Sequence, residues 1–498
     1  MSGEGPSLRT STGWLTAATA VSLLGSAIST PVLFSSLSRH DFGGWALVYG
    51  TATTLALFDL GLTAVVTRFA ALYGSTGDHS SLRAVVRSAR RYFGAVTVLV
   101  VAVCIVGHAP LAHVLTDRPG ASSYVTTGLA AAVISTTLLT LPSRAALAGM
   151  ERFRELAAIQ MGTTVVVVSG LSTAAALSSL DLDHALAVAS GGFLLQVLFQ
   201  ALVLVRLTPE ASRLSLPRSR RREMQRFGGW MQLNGLSELV NNQTDRYVIG
   251  ALVGVSSVGS YEVANTVSRI GRLVPGQYLA ALGPRMTAVA AQSAEEPLVA
   301  LYADAFRVLA WTSIPLLGLL SVVVSPGLRA WLGAAPPHAV FVCLVLALAY
   351  AVNNLTGAAS SWVRATGRPA LETSYGALQT VLNLALTIPG GLVFGINGIV
   401  TATSIAAVAS STYFLVLFHH SQHVPFRQPL GGWLVRLTIA SVLASTAGRL
   451  VVAGTGHPAS RWAATGQALI GLAAFAGVLV LVAAALGLVP KNLLRRGS

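Results

Sequence analysis

The chain has 498 residues, of which 53% are apolar and 10% charged, with a mean hydropathy of +0.67 and a formal charge of +15. An ordinary soluble domain carries roughly 25% charged residues, so this composition excludes a water-soluble globular protein and indicates an integral membrane protein. The positive charge does not indicate nucleic acid, because the basic residues fall between apolar runs rather than along one polar face, and Lys491 is the only lysine among them.

The chain opens MSGEGPSLRTSTGW, with an acid and no basic stretch ahead of a cleavage site. A first span that directs its own insertion is therefore expected, without a cleaved leader. A hydrocarbon core about 30 Å thick needs roughly 20 apolar helical residues. That ruler predicts spans near 14–37, 44–67, 93–109, 123–147, 156–178 and 185–205. The stretch LRAVVRSARRYF (82–93) alternates apolar residues and arginines at helical spacing, and is expected to lie along the inner membrane face before the third span.

A polar connection, RLTPEASRLSLPRSRRREMQR (206–226), follows the sixth span and reads as a cytoplasmic loop attracted to anionic lipid. Six further spans are predicted near 227–251, 258–283, 301–325, 339–363, 371–393 and 398–418, then two more near 431–452 and 462–488. The expected architecture is all-α and polytopic, with about fourteen membrane helices. It comprises an N-lobe (1–207), the basic loop (208–226), a C-lobe (227–418), and a closing pair of helices with a basic tail (419–498). Pro31, Pro315 and Pro389 fall within or at the ends of spans and predict kinks or breaks.

Orientation follows from the basic residues. With the N-terminus in the cytoplasm, the segments assigned inside hold 22 arginines and lysines, and those outside hold Arg39, Arg118, Arg329 and Arg461. This bias places both termini in the cytoplasm and supports an even number of spans.

Within so apolar a chain the intramembrane ions stand out. In the seventh span Asn234, Glu238, Asn241 and Asp245 follow helical spacing along one face; in the eighth, Glu262, Asn265, Arg269 and Arg272 do the same. A charge at the bilayer centre costs at least about 2.5–3.5 kcal/mol on insertion scales, so both stripes should face water or each other. Arg269, Arg272 and Glu238, with Asn234, Asn241 and Asn265, are candidate cavity residues, and Glu238 is a candidate partner for either arginine across the two helices. Asp245, Arg246 and Glu262 lie nearer the outer surface, where snorkelling and a structural ion pair compete with a functional role. Asp59, in LFDLGLT (57–63), is a further acid, able to carry a coupling proton or to bond a neighbouring helix. Asn353, Asn354, Gln379 and Asn383 read chiefly as interhelical hydrogen-bond formers.

Other signals carry less. NQT (242–244) and NLT (354–356) match glycosylation acceptors but fall in predicted spans, and HHSQH (419–423) lacks the acid or cysteine companions of a metal site. Cys104 and Cys343 lie far apart in apolar runs. No nucleotide loop or hydrolytic arrangement occurs, so no cofactor is expected, and any energised work would draw on an ion gradient, with H+ or Na+ as the candidate ions, rather than on ATP.

The stretches LFDLGLTAVVTRFAA (57–71), TDRYVIGALVGVSSVGSYEVANTVSRIGRLVP (244–275) and RATGRPALETSYGALQTVLNLALTIPGGLVFGINGIVTATSIA (364–406) resemble the Wzx-type polysaccharide flippases of the MOP exporter superfamily. That superfamily also holds the multidrug (MATE) exporters and the lipid II flippases. The resemblance spans most of 14–430. It implies two six-helix lobes around a cavity that opens alternately to either side, and an undecaprenyl-diphosphate-linked oligosaccharide as cargo, moved from the inner to the outer leaflet of the plasma membrane. Cavity arginines would meet the diphosphate, for which Arg269 and Arg272 are the candidates, and Asp59, Asp245 and Glu262 are candidates for ion coupling. A monomer surrounded by anionic lipid is expected, without nucleic acid or metal. The first span departs from the relatives in holding neither the arginines typical of lipid II flippases nor the aspartate of many multidrug exporters. A cation-coupled drug exporter is the alternative within transport, although cavity arginines would repel cationic drugs. A membrane glycan polymerase or glycosyltransferase would need a larger outer loop than 108–122 provides.

Overall fold

The computed structural model describes residues 8–57, 62–76, 78–116, 123–177, 180–208, 243–290, 295–366, 368, 370–425 and 431–488, and among these every regular element is a helix. Two compact units emerge, Met1–Gly259 and Ser260–Ser498. Ten helices among the described residues are long and apolar enough to cross a membrane; this is a multi-pass membrane protein.

The first unit holds α1 (Leu8–Ser36), α2 (Arg39–Leu57), α3 (Leu62–Thr76), α4 (His79–Val106), α5 (His108–Leu115), α6 (Ser123–Gly149), α7 (Phe153–Ala176) and α8 (Leu182–Leu207), and the described residues 243–252 are helical (α9). Its centre is α6, against which α2, α3, α4, α5 and α8 all pack. The sequence of α6 explains that position. It is rich in Ala, Ser and Thr, which let neighbouring backbones come close. Several of its hydroxyls are satisfied locally, as where Thr136 donates to the Ala132 carbonyl (2.7 Å) and Thr127 to that of Ser123 (2.7 Å), which lets these polar atoms sit in an apolar interior. Thr126 also donates to Asp183 on α8 (2.6 Å). Val133 and Leu138 of α6 cluster with Phe93 and Leu186, and at the other end its Ala146 clusters with Phe69, Val66 and Leu82, all buried. The outer pair α1 and α7 meet where Gly25 admits Thr164 and where Gln160 donates to Ser22 (3.1 Å).

Two expectations change here. The basic stretch 82–93 is not a separate helix on the membrane face: α4 runs unbroken from His79 to Val106, and Leu82, Val85, Val86, Ala89 and Phe93 are buried in the unit. Protein packing of that apolar side replaces the lipid contact that its periodicity predicts. The predicted span 44–67 is distributed over α2 and α3, which continues to Thr76, with 58–61 outside the described residues.

The second unit begins inside α10 (Val255–Ser268) and holds α11 (Ile270–Ala290), α12 (Glu295–Leu332), α13 (Ala339–Ala365), α14 (Ala370–Ser421), α15 (Gly432–Gly454) and α16 (Arg461–Ala485). Helix α13 packs against α11, α12 and α14, while α15 and α16 pack on each other and on α12. The aromatic core at one end groups Tyr302, Phe306, Trp362, Phe414 and Phe418. Where α12 meets the closing pair, Val322 fills the space left by Gly448 (2.9 Å to a built Cβ) and Gly471 (2.9 Å).

Helix α14 cannot be one rod in a bilayer, because 52 residues would extend about 78 Å. It folds at Gly395, whose φ of 59° and ψ of −140° exclude side chains with a Cβ. Gly390 and Gly398 touch across the fold, and Asn383 donates to Thr403 (3.3 Å), so the limbs run antiparallel. Pro389 stays within the first limb, and α12 continues through Pro315. The break is therefore set by a glycine conformation, not by the prolines that the sequence singles out.

Candidate functional site

Residues 243–259 pack within the first unit, on α2. Arg246 lies directly over Gly50, Val255 meets the backbone at Gly43, and Phe42 reaches Gly259 (2.6 Å to a built Cβ). Each contact needs a glycine, since a methyl group would occupy the partner's place. Tyr247 adds a hydroxyl contact to Thr51 (3.4 Å). Asp245 and Arg246 are 3% and 4% exposed. They are enclosed by protein, and the gap left by Gly50 makes room for the guanidinium.

In the second unit the arginines stand differently. The eighth predicted span is divided by a turn at Arg269, between α10 and α11, with the Arg269 amide still bonded to the Asn265 carbonyl (3.0 Å). The predicted stripe splits there. Asn265 is buried at 1% exposure, Glu262 is half-buried, and Arg269 and Arg272 are both exposed on the surface of the unit. A ladder of hydrogen bonds fixes this segment to α13. Ser268 donates to the Cys343 carbonyl (3.1 Å), the Tyr350 hydroxyl to Asn265 Oδ1 (3.0 Å), and Asn354 Nδ2 to the Gly271 carbonyl (3.0 Å) and to Ser313 on α12 (3.1 Å). The Arg272 guanidinium sits over the Tyr350 ring, 5.2 Å from its centroid. One turn further along α13, Asn353 Nδ2 donates to the Tyr375 hydroxyl on α14.

Among the candidates, Asn265, Arg269 and Arg272 come together in this region, with Glu262 on the same helix. Asp245 belongs to the other unit. Asn234, Glu238, Asn241 and Asp59 lie outside the described residues, and with them the proposed pairing of Glu238 to an arginine. Tyr350 and Tyr375 are additions that sequence reading missed. The run YAVNN (350–354) carried the signal, since Tyr350 stands three and four residues before Asn353 and Asn354, on the same side of α13. In HHSQH (419–423), at the end of α14, His419 is buried, with Nε2 bonded to the Tyr302 hydroxyl (3.0 Å) and Nδ1 to the Val424 carbonyl (2.9 Å). Both ring nitrogens serve packing. Among the described residues, no group of three or more His, Cys, Asp and Glu side chains could hold a metal.

The profile of the family described as "Polysaccharide biosynthesis protein" matches residues 8–289, more than half of the chain. The chain belongs to this family. No curated protein sequence matches it. Among solved structures, this family member is similar to the lipid II flippase MurJ in an inward closed conformation, with a TM-score of 0.67 at 13% identity, covering 95% of this chain and 99% of the other. It is also similar to a multidrug resistance MATE transporter of the MOP superfamily in an inward-facing conformation (TM-score 0.63, 12% identity, 82% of this chain and 98% of the other). A MOP superfamily transporter from Pyrococcus furiosus follows (TM-score 0.57, 11% identity, 82% and 94%). At such identities the likeness establishes the fold, which is the one these solved MOP transporters and the flippase share.

Proposed function

We propose that the protein flips an undecaprenyl-diphosphate-linked oligosaccharide from the inner to the outer leaflet of the plasma membrane by alternating access, in the assembly of a cell-surface polysaccharide. The observation that carries this reading is the pair Arg269 and Arg272, exposed on the surface of the second unit at a turn within an apolar helical segment. Two guanidinium groups facing acyl chains would each cost at least about 2.5–3.5 kcal/mol, so a water-filled path is the environment that accounts for them. Arginine offers two parallel N–H donors and a permanent charge, which match a diphosphate and repel a cationic drug. Membership in a polysaccharide biosynthesis family and likeness to the structure of a lipid II flippase support a lipid-linked cargo.

The basic connecting segments place both termini in the cytoplasm in this reading, where they meet anionic lipid. Coupling to H+ or Na+ is assigned to Asp59, Asp245 or Glu262. Of these, Asp245 is enclosed by protein.

Purified protein in proteoliposomes, supplied with a fluorescent undecaprenyl-diphosphate disaccharide, tests the proposal. The intact chain should deliver the lipid to the far leaflet, and Arg269→Ala with Arg272→Ala should abolish delivery while reconstitution is unchanged. Undiminished delivery by the double variant would remove these arginines from the mechanism.

A further inference from the structure

Deepening that reading, we propose that Tyr350 is a positioning residue, which holds the Arg272 guanidinium in place for the oxyanions of a diphosphate without neutralising it. The inference rests on the assignment of Arg272 to the cargo path and adds how that charge is kept available.

An exposed arginine loses rotamer freedom when it is fixed in one geometry. Part of that loss can be met in advance by a partner that restrains the group before cargo arrives. A carboxylate would restrain it, but would occupy the same N–H edges and cancel the charge that the anion needs. An aromatic face restrains the guanidinium from one side, through the ring quadrupole, and leaves both the charge and the donor edges. The structure has the second arrangement, with the Arg272 guanidinium 5.2 Å from the Tyr350 centroid.

The ring is itself held. Its hydroxyl donates to Asn265 Oδ1 (3.0 Å), and Asn265 is buried in α10, seven residues before Arg272. Asn354, one turn after Tyr350 on α13, donates to the carbonyl of Gly271, the neighbour of Arg272 (3.0 Å), and to Ser313 on α12 (3.1 Å). Ring and guanidinium therefore belong to helices tied together on both sides of the contact. Ser268 makes a third tie through the Cys343 carbonyl (3.1 Å). If Tyr350 served only to join α13 to α10, its hydroxyl bond would be enough, and the placement of Arg272 over its ring would have no consequence for cargo.

The test uses the full chain in detergent and a fluorescent polyprenyl diphosphate as probe, with the corresponding polyprenyl alcohol as control. Intact protein should bind the diphosphate more tightly than the alcohol, and Arg272→Ala should remove that preference. Tyr350→Leu, which takes away the ring, should weaken diphosphate binding by about fivefold to tenfold, the range of a partly exposed cation–π contact. Tyr350→Phe, which keeps the ring, should stay within about twofold, the loss of one net hydrogen bond at its weak end. The Tyr350→Leu and Arg272→Ala double variant should bind no worse than Arg272→Ala, because residues that act through one contact are non-additive. A helix-joining role would instead give losses that add, or equal losses for the alcohol. If Tyr350→Leu is not monodisperse, Asn265→Ala unpins the ring and should weaken diphosphate binding by about twofold, again only where Arg272 is present. Unchanged diphosphate binding in Tyr350→Leu, beside a clear loss in Arg272→Ala, would overturn the inference and leave the flippase reading standing. No preference for diphosphate over alcohol in the intact protein would overturn the reading of the site and this inference together.

Discussion

Arg246 and Arg272 carry the same charge and lie in neighbouring predicted spans, yet their surroundings differ in every respect. Arg246 is 4% exposed and fits over Gly50 of α2, where a larger residue would exclude it. Arg272 is exposed and lies on an aromatic face, held by a ring whose own position is fixed by Asn265. The difference teaches that an intramembrane arginine is not evidence of a ligand by itself. A guanidinium enclosed by packing contributes to the unit that encloses it. One restrained from below and open above is arranged to meet something else.

The largest effect should come from filling the space that Arg246 uses. Gly50→Leu places a side chain where the guanidinium sits, and overpacking of this kind costs about 1–3 kcal/mol or more. Because neither helix can yield without displacing a buried charge, we expect little monodisperse protein in detergent chromatography. Normal yield would show that Arg246 has another place to go. Next in size, Arg246→Ala should lower thermal stability in detergent by about 2 kcal/mol or more, the scale for disrupting a buried polar contact. Arg272→Ala should cost at most about 1 kcal/mol, the scale of an exposed cation–π contact, while losing lipid delivery. Equal destabilisation by the two substitutions would erase the comparison.

The smallest effect sharpens it from the acid side. Asp78, at the N-terminus of α4, accepts from the Ser81 amide (3.0 Å) and the Ser80 hydroxyl (2.7 Å), and these bonds lower its carboxyl to about 2. The folded value lies below the ordinary 3.8. The capping contribution should therefore be full above about pH 4 and fade as pH falls toward 2. Asp78→Ala should show a small loss of thermal midpoint at neutral pH that narrows over that interval. A gap that does not change with pH would mean that the carboxylate's charge is not what caps the helix.

Much of this architecture was legible because a bilayer imposes a length and excludes free backbone groups. Spans such as 123–147, 156–178, 339–363 and 431–452 coincide with α6, α7, α13 and α15 to within a few residues, since runs of apolar residues leave a helix as the one way to satisfy the backbone. The two limbs of α14 were legible as two spans, but the joint was not. Pro389 has a visible reason to bend a helix, whereas Gly395 acts through a backbone conformation that composition does not display. The segment 82–93 misled because an amphipathic face has the same period whether it meets lipid or protein, and only the buried side of α4 decides between them.

At the candidate site, charge made Arg269 and Arg272 conspicuous, while their support was hidden. Tyr350 is an ordinary aromatic residue in an apolar helix, and its value lies in a ring that points at Arg272 from another helix. Side-chain direction between distant segments is the part of the site that spacing along one helix does not carry. Asn265 shows the same limit: helical spacing grouped it with the arginines, but Asn265 is buried as the acceptor for Tyr350 while Arg269 and Arg272 are exposed.

The most direct test of the central claim is to ask which residues the cargo touches. An undecaprenyl-diphosphate disaccharide carrying a photoreactive group on its first sugar, activated in proteoliposomes during delivery, should label peptides spanning 265–277. That label should fall sharply in the Arg269→Ala and Arg272→Ala variant. Labelling confined to other segments, or label at 265–277 that survives loss of both arginines, would contradict the account.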